Sequence, residues 1–213
     1  MSNKSLFSYC VITYLSILTI IQIDILTCET ESLKECLIHN QAYSYEYLFI
    51  ERNYDKTKRN VYTLPLNNMK DFNHLEFIRW NIIPFKETNS YFIKSLLLDD
   101  GYLCSSKHLN GFFTRTRSII GLKIPFIHKY FNSQTIIDNC LWYFDRDETS
   151  NKIRNKTFII WNKKYKEPLY ASVKNYFSDP LRRNVYSLNG RYNIKSKAIK
   201  WIVDCGTGQF QII

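Results

Sequence analysis

Glycine and proline are scarce in this chain, with 6 and 5 copies among 213 residues. No GxGxxG or GxxxxGK[ST] run occurs, which excludes the usual nucleotide-binding folds. GxSxG, HExxH and CxxC spacings are also missing, so neither the common hydrolase motifs nor a zinc knuckle is present. The content of 45% hydrophobic and 16% aromatic residues excludes disorder, collagen and coiled coil. One globular domain with a substantial core is predicted.

The first 28 residues differ from the rest in composition. Lys4 precedes an apolar run from residue 11 to 23, which Asp24 interrupts. A membrane span needs roughly 20 continuous apolar residues, and this run is shorter. We therefore predict a signal peptide at residues 1–28, cleaved near Cys28 to Thr30, rather than an anchor. Residues 29–213 then form the secreted, extracellular domain.

Four cysteines remain after the predicted signal peptide: Cys36, Cys104, Cys140 and Cys205. An even number in an exported chain indicates two disulfides, with three possible pairings. Metal binding is the rival interpretation, but neither the cysteines nor the four histidines have ligand spacing, so no metal or cofactor is expected. Asn155 begins the only sequon beyond the signal and is a predicted glycosylation site.

Three segments of fourteen residues align without a gap: CLIHNQAYSYEYLF (36–49), YFIKSLLLDDGYLC (91–104) and FIIWNKKYKEPLYA (158–171). The alignment places Tyr47-Leu48 and Leu169-Tyr170 at the same positions. Each copy continues to a second shared string, RNVYTL (59–64), RSIIGL (117–122) or RNVYSL (183–188), and ends near one tryptophan. The tryptophans are Trp80, Trp142 and Trp201, and only Trp161 falls outside this scheme.

The runs are short, rich in Ile, Val, Tyr, Phe and Trp, and separated by polar clusters, which is typical of strands. Three repeats of four strands, about 36–86, 91–148 and 156–205, predict an all-β fold, a β-trefoil, with at most one short helix. In that architecture six strands close a barrel and three hairpins cap it. A β-sandwich is the alternative, although it does not require threefold register.

Most of the repeated residues have structural interpretations. The three repeat tryptophans are expected to fill the barrel rather than to stack on a sugar. Asn40, Ser95 and Asn162 come where a strand enters a turn, and their short side chains can bond the local backbone. The acidic pair Asp99-Asp100 and the run 145–148 are best explained as solvated turns, so no catalytic group is indicated and a non-enzymatic protein is expected.

Positive charge is concentrated in the last repeat. Residues 156–213 hold 11 basic and 3 acidic residues, which accounts for eight of the ten net charges. Such a field attracts sulfated glycans, anionic lipid or nucleic acid, and export favours an extracellular partner over intracellular nucleic acid. The alternative is that a lysine-rich composition keeps the surface soluble. The predicted anion-binding residues are Lys163, Lys164, Lys166, Arg182, Arg183, Arg191, Lys195, Lys197 and Lys200.

The threefold strings resemble the trefoil of secreted insect proteins, including the β-trefoil half of the lepidopteran 30-kilodalton haemolymph lipoproteins and trefoil-like salivary proteins of flies. The likeness covers about residues 36–205, and the helical half of the lipoproteins is absent here. Ricin-type lectins have Gln two residues before each repeat tryptophan, where this chain has Ile78, Cys140 and Ile199. Heparin-binding growth factors resemble it only in the location of Arg191 to Lys200.

Three functions are compatible with these observations. The first is a monomeric binding protein for a sulfated glycan or another anionic partner, which uses the basic third repeat. The second is a protease inhibitor in which Lys86, in the loop after the fourth strand, acts as the basic P1 residue, as the position of the Kunitz-type reactive loop implies. The third is a storage or structural protein with no specific ligand.

The predicted fold also predicts the disulfides. A trefoil barrel pairs its first strand with its last, which brings the segment at Cys36 close to the one that ends at Cys205. Cys36 is therefore expected to bond Cys205. Cys104 and Cys140 then remain to pair within the second repeat.

Overall fold

The computed structural model describes residues 32–51, 58–68, 72–85, 88–97, 101–110, 115–123, 134–147, 157–176 and 179–206. The predicted signal peptide, Asn155 and Lys86 lie outside these ranges. The chain divides into two units, Met1–Glu31 and Ser32–Ile213, and all the described residues belong to the second. No helix among them is long and apolar enough to span a membrane.

The described residues form twelve strands, one short α-helix and three turns of 3₁₀ helix. The first repeat contains β1 (Leu33–Asn40), β2 (Glu46–Ile50), β3 (Lys58–Pro65) and β4 (Arg79–Phe85). The second contains β5 (Ser90–Ser95), β6 (Gly101–Leu109), β7 (Thr116–Lys123), the helix α1 (Gln134–Asn139) and β8 (Leu141–Arg146). The third contains β9 (Thr157–Asn162), β10 (Leu169–Tyr176), β11 (Asp179–Leu188) and β12 (Lys200–Cys205). The 3₁₀ turns are Leu66–Asn68, Phe72–Ile78 and Lys197–Ile199.

Six strands close a ring through antiparallel pairs, in the order β1, β4, β5, β8, β9, β12 and back to β1. The other six form the hairpins β2–β3, β6–β7 and β10–β11. Strands β3, β7 and β11 also pair with one another, so the three hairpins join into a cap. The prediction of an all-β fold is confirmed.

The three repeat tryptophans occupy equivalent places in the core. Each is fully buried. The indole Nε1 of Trp80 donates to the carbonyl oxygen of Leu48 at 3.0 Å. Trp142 donates to Leu103 at 2.7 Å, and Trp201 donates to Leu169 at 2.9 Å. Each tryptophan therefore joins the fourth strand of its repeat to the second strand of the same repeat. The prediction that these residues fill the barrel is confirmed.

These contacts correct the sequence alignment in the third repeat. The gapless alignment placed Tyr170 opposite Leu48, whereas Leu169 accepts the equivalent hydrogen bond. The pairing of His39 with Tyr47 is likewise matched by that of Trp161 with Pro168. The reason is a one-residue deletion: the paired residues Trp161 and Pro168 are seven positions apart, whereas His39 and Tyr47 are eight apart.

The polar residues at the strand ends behave in two ways. The side-chain oxygen of Asn40 accepts from the backbone N–H of Ala42 at 2.9 Å, and that of Asn162 accepts from Tyr165 at 3.2 Å. Both are therefore turn-forming residues, as predicted. Ser95 is equally buried, but its hydroxyl has no hydrogen-bond partner within the described part of the chain.

Two disulfides close the domain. Cys36 is bonded to Cys205, and their strands β1 and β12 are neighbours in the ring. Cys104 is bonded to Cys140, and this bond ties β6 to the residue between α1 and β8. These are the predicted pairs.

Candidate functional site

Two segments of the third repeat present exposed cations. The first is the turn 162–167, which holds Lys163, Lys164 and Lys166. It is closed by the backbone bond from Lys166 N–H to the Asn162 carbonyl at 2.9 Å, and Lys166 has a left-handed φ of 55°. Lys164 and Lys166 are exposed and Lys163 is half-buried. The tight turn therefore projects its lysines outward.

The second segment is the loop from Asn189 to Ser196, followed by Lys197. Arg191, Lys195 and Lys197 are all exposed. The side-chain oxygen of Asn193 accepts from the Lys195 N–H at 2.9 Å, and the Asn193 carbonyl accepts from the Ser196 N–H at 2.8 Å. The loop is thus ordered by its own hydrogen bonds.

An aromatic cluster connects the two segments. The ring of Tyr143, on β8, lies parallel to that of Trp161, on β9, with centroids 6.0 Å apart. Tyr192, in the second segment, meets Trp161 edge-on at 5.6 Å. The ammonium of Lys166 lies 5.4 Å from the centre of the Tyr143 ring, within the range of cation–π attraction. We call Tyr143, Trp161 and Tyr192, together with Lys163, Lys164, Lys166, Arg191, Lys195 and Lys197, the basic aromatic surface.

The phenols of this surface are neutral at physiological pH. Burial raises the pKa of Tyr143, and the neighbouring Tyr192 and Asp145 raise it further. Burial also raises the pKa of Tyr192. Both hydroxyl groups therefore keep their protons and can donate hydrogen bonds. The indole Nε1 of Trp161 is sheltered and has no hydrogen-bond partner among the described residues.

Arg183, one of the predicted anion-binding residues, is instead part of the interior. Its Nε donates to Glu46 Oε2 at 2.9 Å and its Nη2 donates to Glu46 Oε1 at 3.1 Å, with 12% and 14% of the two side chains exposed. Its Nη1 donates to the carbonyls of Ser172 and Val173. Anion binding by Arg183 stays a prediction, but a guanidinium held by a carboxylate and two carbonyls has few donors left for a ligand.

The same pairing recurs in another repeat. Arg117 begins the second shared string as Arg183 begins the third, and its Nε lies 2.9 Å from Glu167 Oε1. Glu46 and Glu167 become equivalent once the one-residue deletion is taken into account. Glu46 also accepts from the hydroxyl of Thr63 and Glu167 from that of Ser187, each at 2.6 Å. The arginine of the shared string therefore joins successive repeats.

Lys200 and Arg182 also have acidic partners. The ammonium of Lys200 is 2.5 Å from Asp147 Oδ2, and both side chains are at most 10% exposed. Arg182 is half-buried and its Nη1 lies 2.9 Å from Glu51 Oε1. Lys200 therefore has a structural contact that leaves its ammonium little exposed, and the charge of Arg182 is partly compensated. Their predicted anion binding stays a prediction.

The sequence analysis did not select the aromatic members of the surface. A signal was present, because Trp161 is the one tryptophan that the threefold pattern does not explain. A large aromatic residue without a place in the repeated core is free to serve a surface role. Tyr143 is its direct partner on the adjacent strand.

Comparison with known proteins finds the fold but no family. No protein-family model matches the chain, and no curated protein sequence matches it. Among solved structures, an SDF2-like protein of Arabidopsis thaliana matches with a TM-score of 0.56 and 10% identity, over 81% of this chain and 93% of that one. A Polyporus squamosus lectin bound to a human-type influenza-binding epitope matches with a TM-score of 0.53 and 12% identity, over 81% and 49%. A cysteine- and tryptophan-rich salivary protein of Culex quinquefasciatus has a TM-score of 0.49 and 14% identity, over 82% and 94%.

Proposed function

We propose that this chain is a secreted, non-enzymatic β-trefoil protein that binds a sulfated glycan through the basic aromatic surface. The observation that carries the proposal is the chain of contacts from Lys166 through Tyr143 and Trp161 to Tyr192. It joins the turn that holds Lys166 to the loop that holds Tyr192 and its exposed neighbour Arg191. Sulfate groups pair with ammonium and guanidinium groups, and sugar rings pack on aromatic faces.

Further support comes from the disulfides and from the solved structures with this fold. Two disulfides among the described residues are typical of an oxidising, extracellular compartment. The fold is also that of a lectin, which is consistent with a binding role. Affinity would come from charge neutralisation and would fall as salt rises.

The experiment is heparin-affinity chromatography of the folded domain across a salt series. The variant Lys195→Glu/Lys197→Glu reverses two exposed cations of the surface. Its matched control is Lys34→Glu/Lys107→Glu, which makes the same change of net charge at exposed residues of the first two repeats. We expect the first variant to elute at lower salt, with the slope of log affinity against log salt reduced by about two, while the control remains close to the wild type.

A second variant tests the aromatic part of the surface. Trp161→Ala removes the central ring and leaves every charge in place, so it should weaken heparin binding with little change in salt slope. Equal loss in the lysine variant and its control would contradict a localised site. No retention of the wild type above that of a neutral resin would remove the proposal.

A further inference from the structure

The three strands of the cap surround a cavity of about 610 Å³ that contains no residue of the basic aromatic surface. Its volume is within the about 300–1,000 Å³ range of small-molecule sites. We infer that this cavity, called here the axial pocket, is a second binding site, for a single sugar ring that carries a carboxylate.

The axial pocket is built from the threefold pattern itself. Each shared string is six residues long and begins with its arginine. The second residue of each string pairs with the fourth residue of the next string. Asn60 pairs with Ile120, Ser118 pairs with Tyr186, and Asn184 pairs with Tyr62. All six line the cavity. The pocket is therefore a closed ring of alternating polar and large side chains around the threefold arrangement of β3, β7 and β11.

The lining offers a mixture of groups that suits a sugar. Its amides, hydroxyls and tyrosines stand beside the apolar residue Ile120, and the cavity is also bordered by Val61, Ile119 and Val185, which are buried in the main core. Sugar hydroxyls need paired donors and acceptors, whereas the C–H faces of a sugar ring need apolar or aromatic contact. The axial pocket supplies both kinds of surface.

Several polar groups of the lining are already oriented by protein contacts. The Ser118 hydroxyl donates to the Asn110 Oδ1 at 2.6 Å, and the Asn110 Nδ2 donates to Thr116 Oγ1 at 3.2 Å. The Nδ2 of Asn60 donates to Glu51 Oε2 at 3.0 Å, which leaves its Oδ1 as an acceptor. Within the described residues, the amide of Asn184 makes no side-chain hydrogen bond. Asn184 therefore retains both a donor and an acceptor for a ligand.

The charge of the lining selects the ligand class. Among the described residues of the lining, Lys174 alone has an ionic side chain. It is exposed, and none of the described carboxylates pairs with it. A carboxylate on the sugar would meet this ammonium, while the amides bind the ring hydroxyls. A charge-assisted hydrogen bond of this kind is worth about tenfold or more in affinity.

The test uses N-acetylneuraminic acid, glucuronic acid and methyl α-glucoside as probes, titrated into the folded domain and followed by calorimetry or NMR. We expect at least one of the acidic sugars to bind with a Kd on the order of 1 mM and the neutral glycoside to bind about tenfold more weakly. Lys174→Ala should remove this preference, and Asn184→Ala should weaken both kinds of probe. Lys34→Ala makes the same change of charge outside both the pocket and the basic aromatic surface and should alter neither.

Saturable binding that follows this pattern supports the axial pocket. Absence of saturable binding by all three probes overturns it. So does an equal loss in Lys174→Ala and Lys195→Ala, since the acidic sugar would then be bound on the basic aromatic surface. Heparin retention is measured on the same variants. If Lys174→Ala and Asn184→Ala lose sugar binding but keep heparin retention, the axial pocket is separate from the proposed function. If the proposed function fails, the preference of the pocket for acidic sugars should remain.

Discussion

Two adjacent arginines of β11 allow a direct test of the structural role assigned to the shared strings. Arg183 and Arg182 each have a carboxylate partner at 2.9 Å, but the first pair is 12% and 14% exposed and the second 30% and 23%. Arg183→Ala leaves Glu46 with the hydroxyl of Thr63 as its remaining side-chain partner among the described residues. A carboxylate that loses its cationic partner destabilises the fold far more when it is buried than when it is exposed to solvent.

The expected size follows from this difference in burial. Breaking a buried ion pair costs about 3–5 kcal/mol, and the remaining exposure of Arg183 places it near the lower end, about 3 kcal/mol. Arg182→Ala should cost about 0–1 kcal/mol, as for an exposed pair. At about 2–4 °C per kcal/mol, the Arg183 variant should melt about 6–12 °C below the wild type.

The assay is urea and thermal unfolding of both variants, followed by circular dichroism, with heparin retention measured in parallel. The double variant Glu46→Gln/Arg183→Met removes the stranded charge and should recover part of the lost stability. Equal and small losses from Arg182→Ala and Arg183→Ala would refute the structural role. A selective loss of heparin retention in a fully stable Arg183→Ala would instead support anion binding by that residue.

Other predictions concern the closure of the barrel, one histidine and one glycine. Replacing Cys36 and Cys205 by serine opens a loop with a sequence separation of 169 and should lower the free energy of unfolding by about 5 kcal/mol, measured by urea titration. Burial lowers the pKa of His39 below 6.5, an effect partly opposed by Asp204, so the unfolded chain takes up a proton that the folded state resists. Stability should therefore fall as pH drops below about 6.5, by up to about 1.4 kcal/mol per unit of pKa difference, and His39→Gln should lose this component; an unchanged pH profile in that variant would contradict it. Gly121→Ala would drive a methyl group into the Cδ1 of Ile50 and should cost about 1–3 kcal/mol by thermal melting, whereas adding Ile50→Val, which deletes that atom, should restore part of the loss.

The short apolar runs and their threefold recurrence were sufficient to predict the all-β fold class. Trp80, Trp142 and Trp201 recur with strings that have strand character, and burying three equivalent indoles requires a repeated architecture. The one-residue shift at Leu169 was missed because a gapless alignment cannot register a deletion. The hydrogen bond from Trp201 and the pairing of Trp161 with Pro168 identify the equivalent residues.

The candidate site was less accessible to sequence reasoning. The sequence shows only that Arg183 and Lys200 are cationic, so they were predicted to bind anions together with the exposed lysines. Their carboxylate partners lie 137 and 53 positions away, so neither pair is visible as a local pattern. An ion pair that forms across repeats depends on the three-dimensional register. The exposed cations of the turn and the loop, which need no distant partner, could be predicted from sequence.

The bond between Cys36 and Cys205 determines how the domain carries mechanical load. These cysteines lie opposite each other on neighbouring strands, so a force applied to the chain on either side of the pair passes through sulfur and bypasses the ring of strands. Stretching such a domain would extend only the segments outside the bond. A single proteolytic cut anywhere between them would likewise leave one covalent molecule.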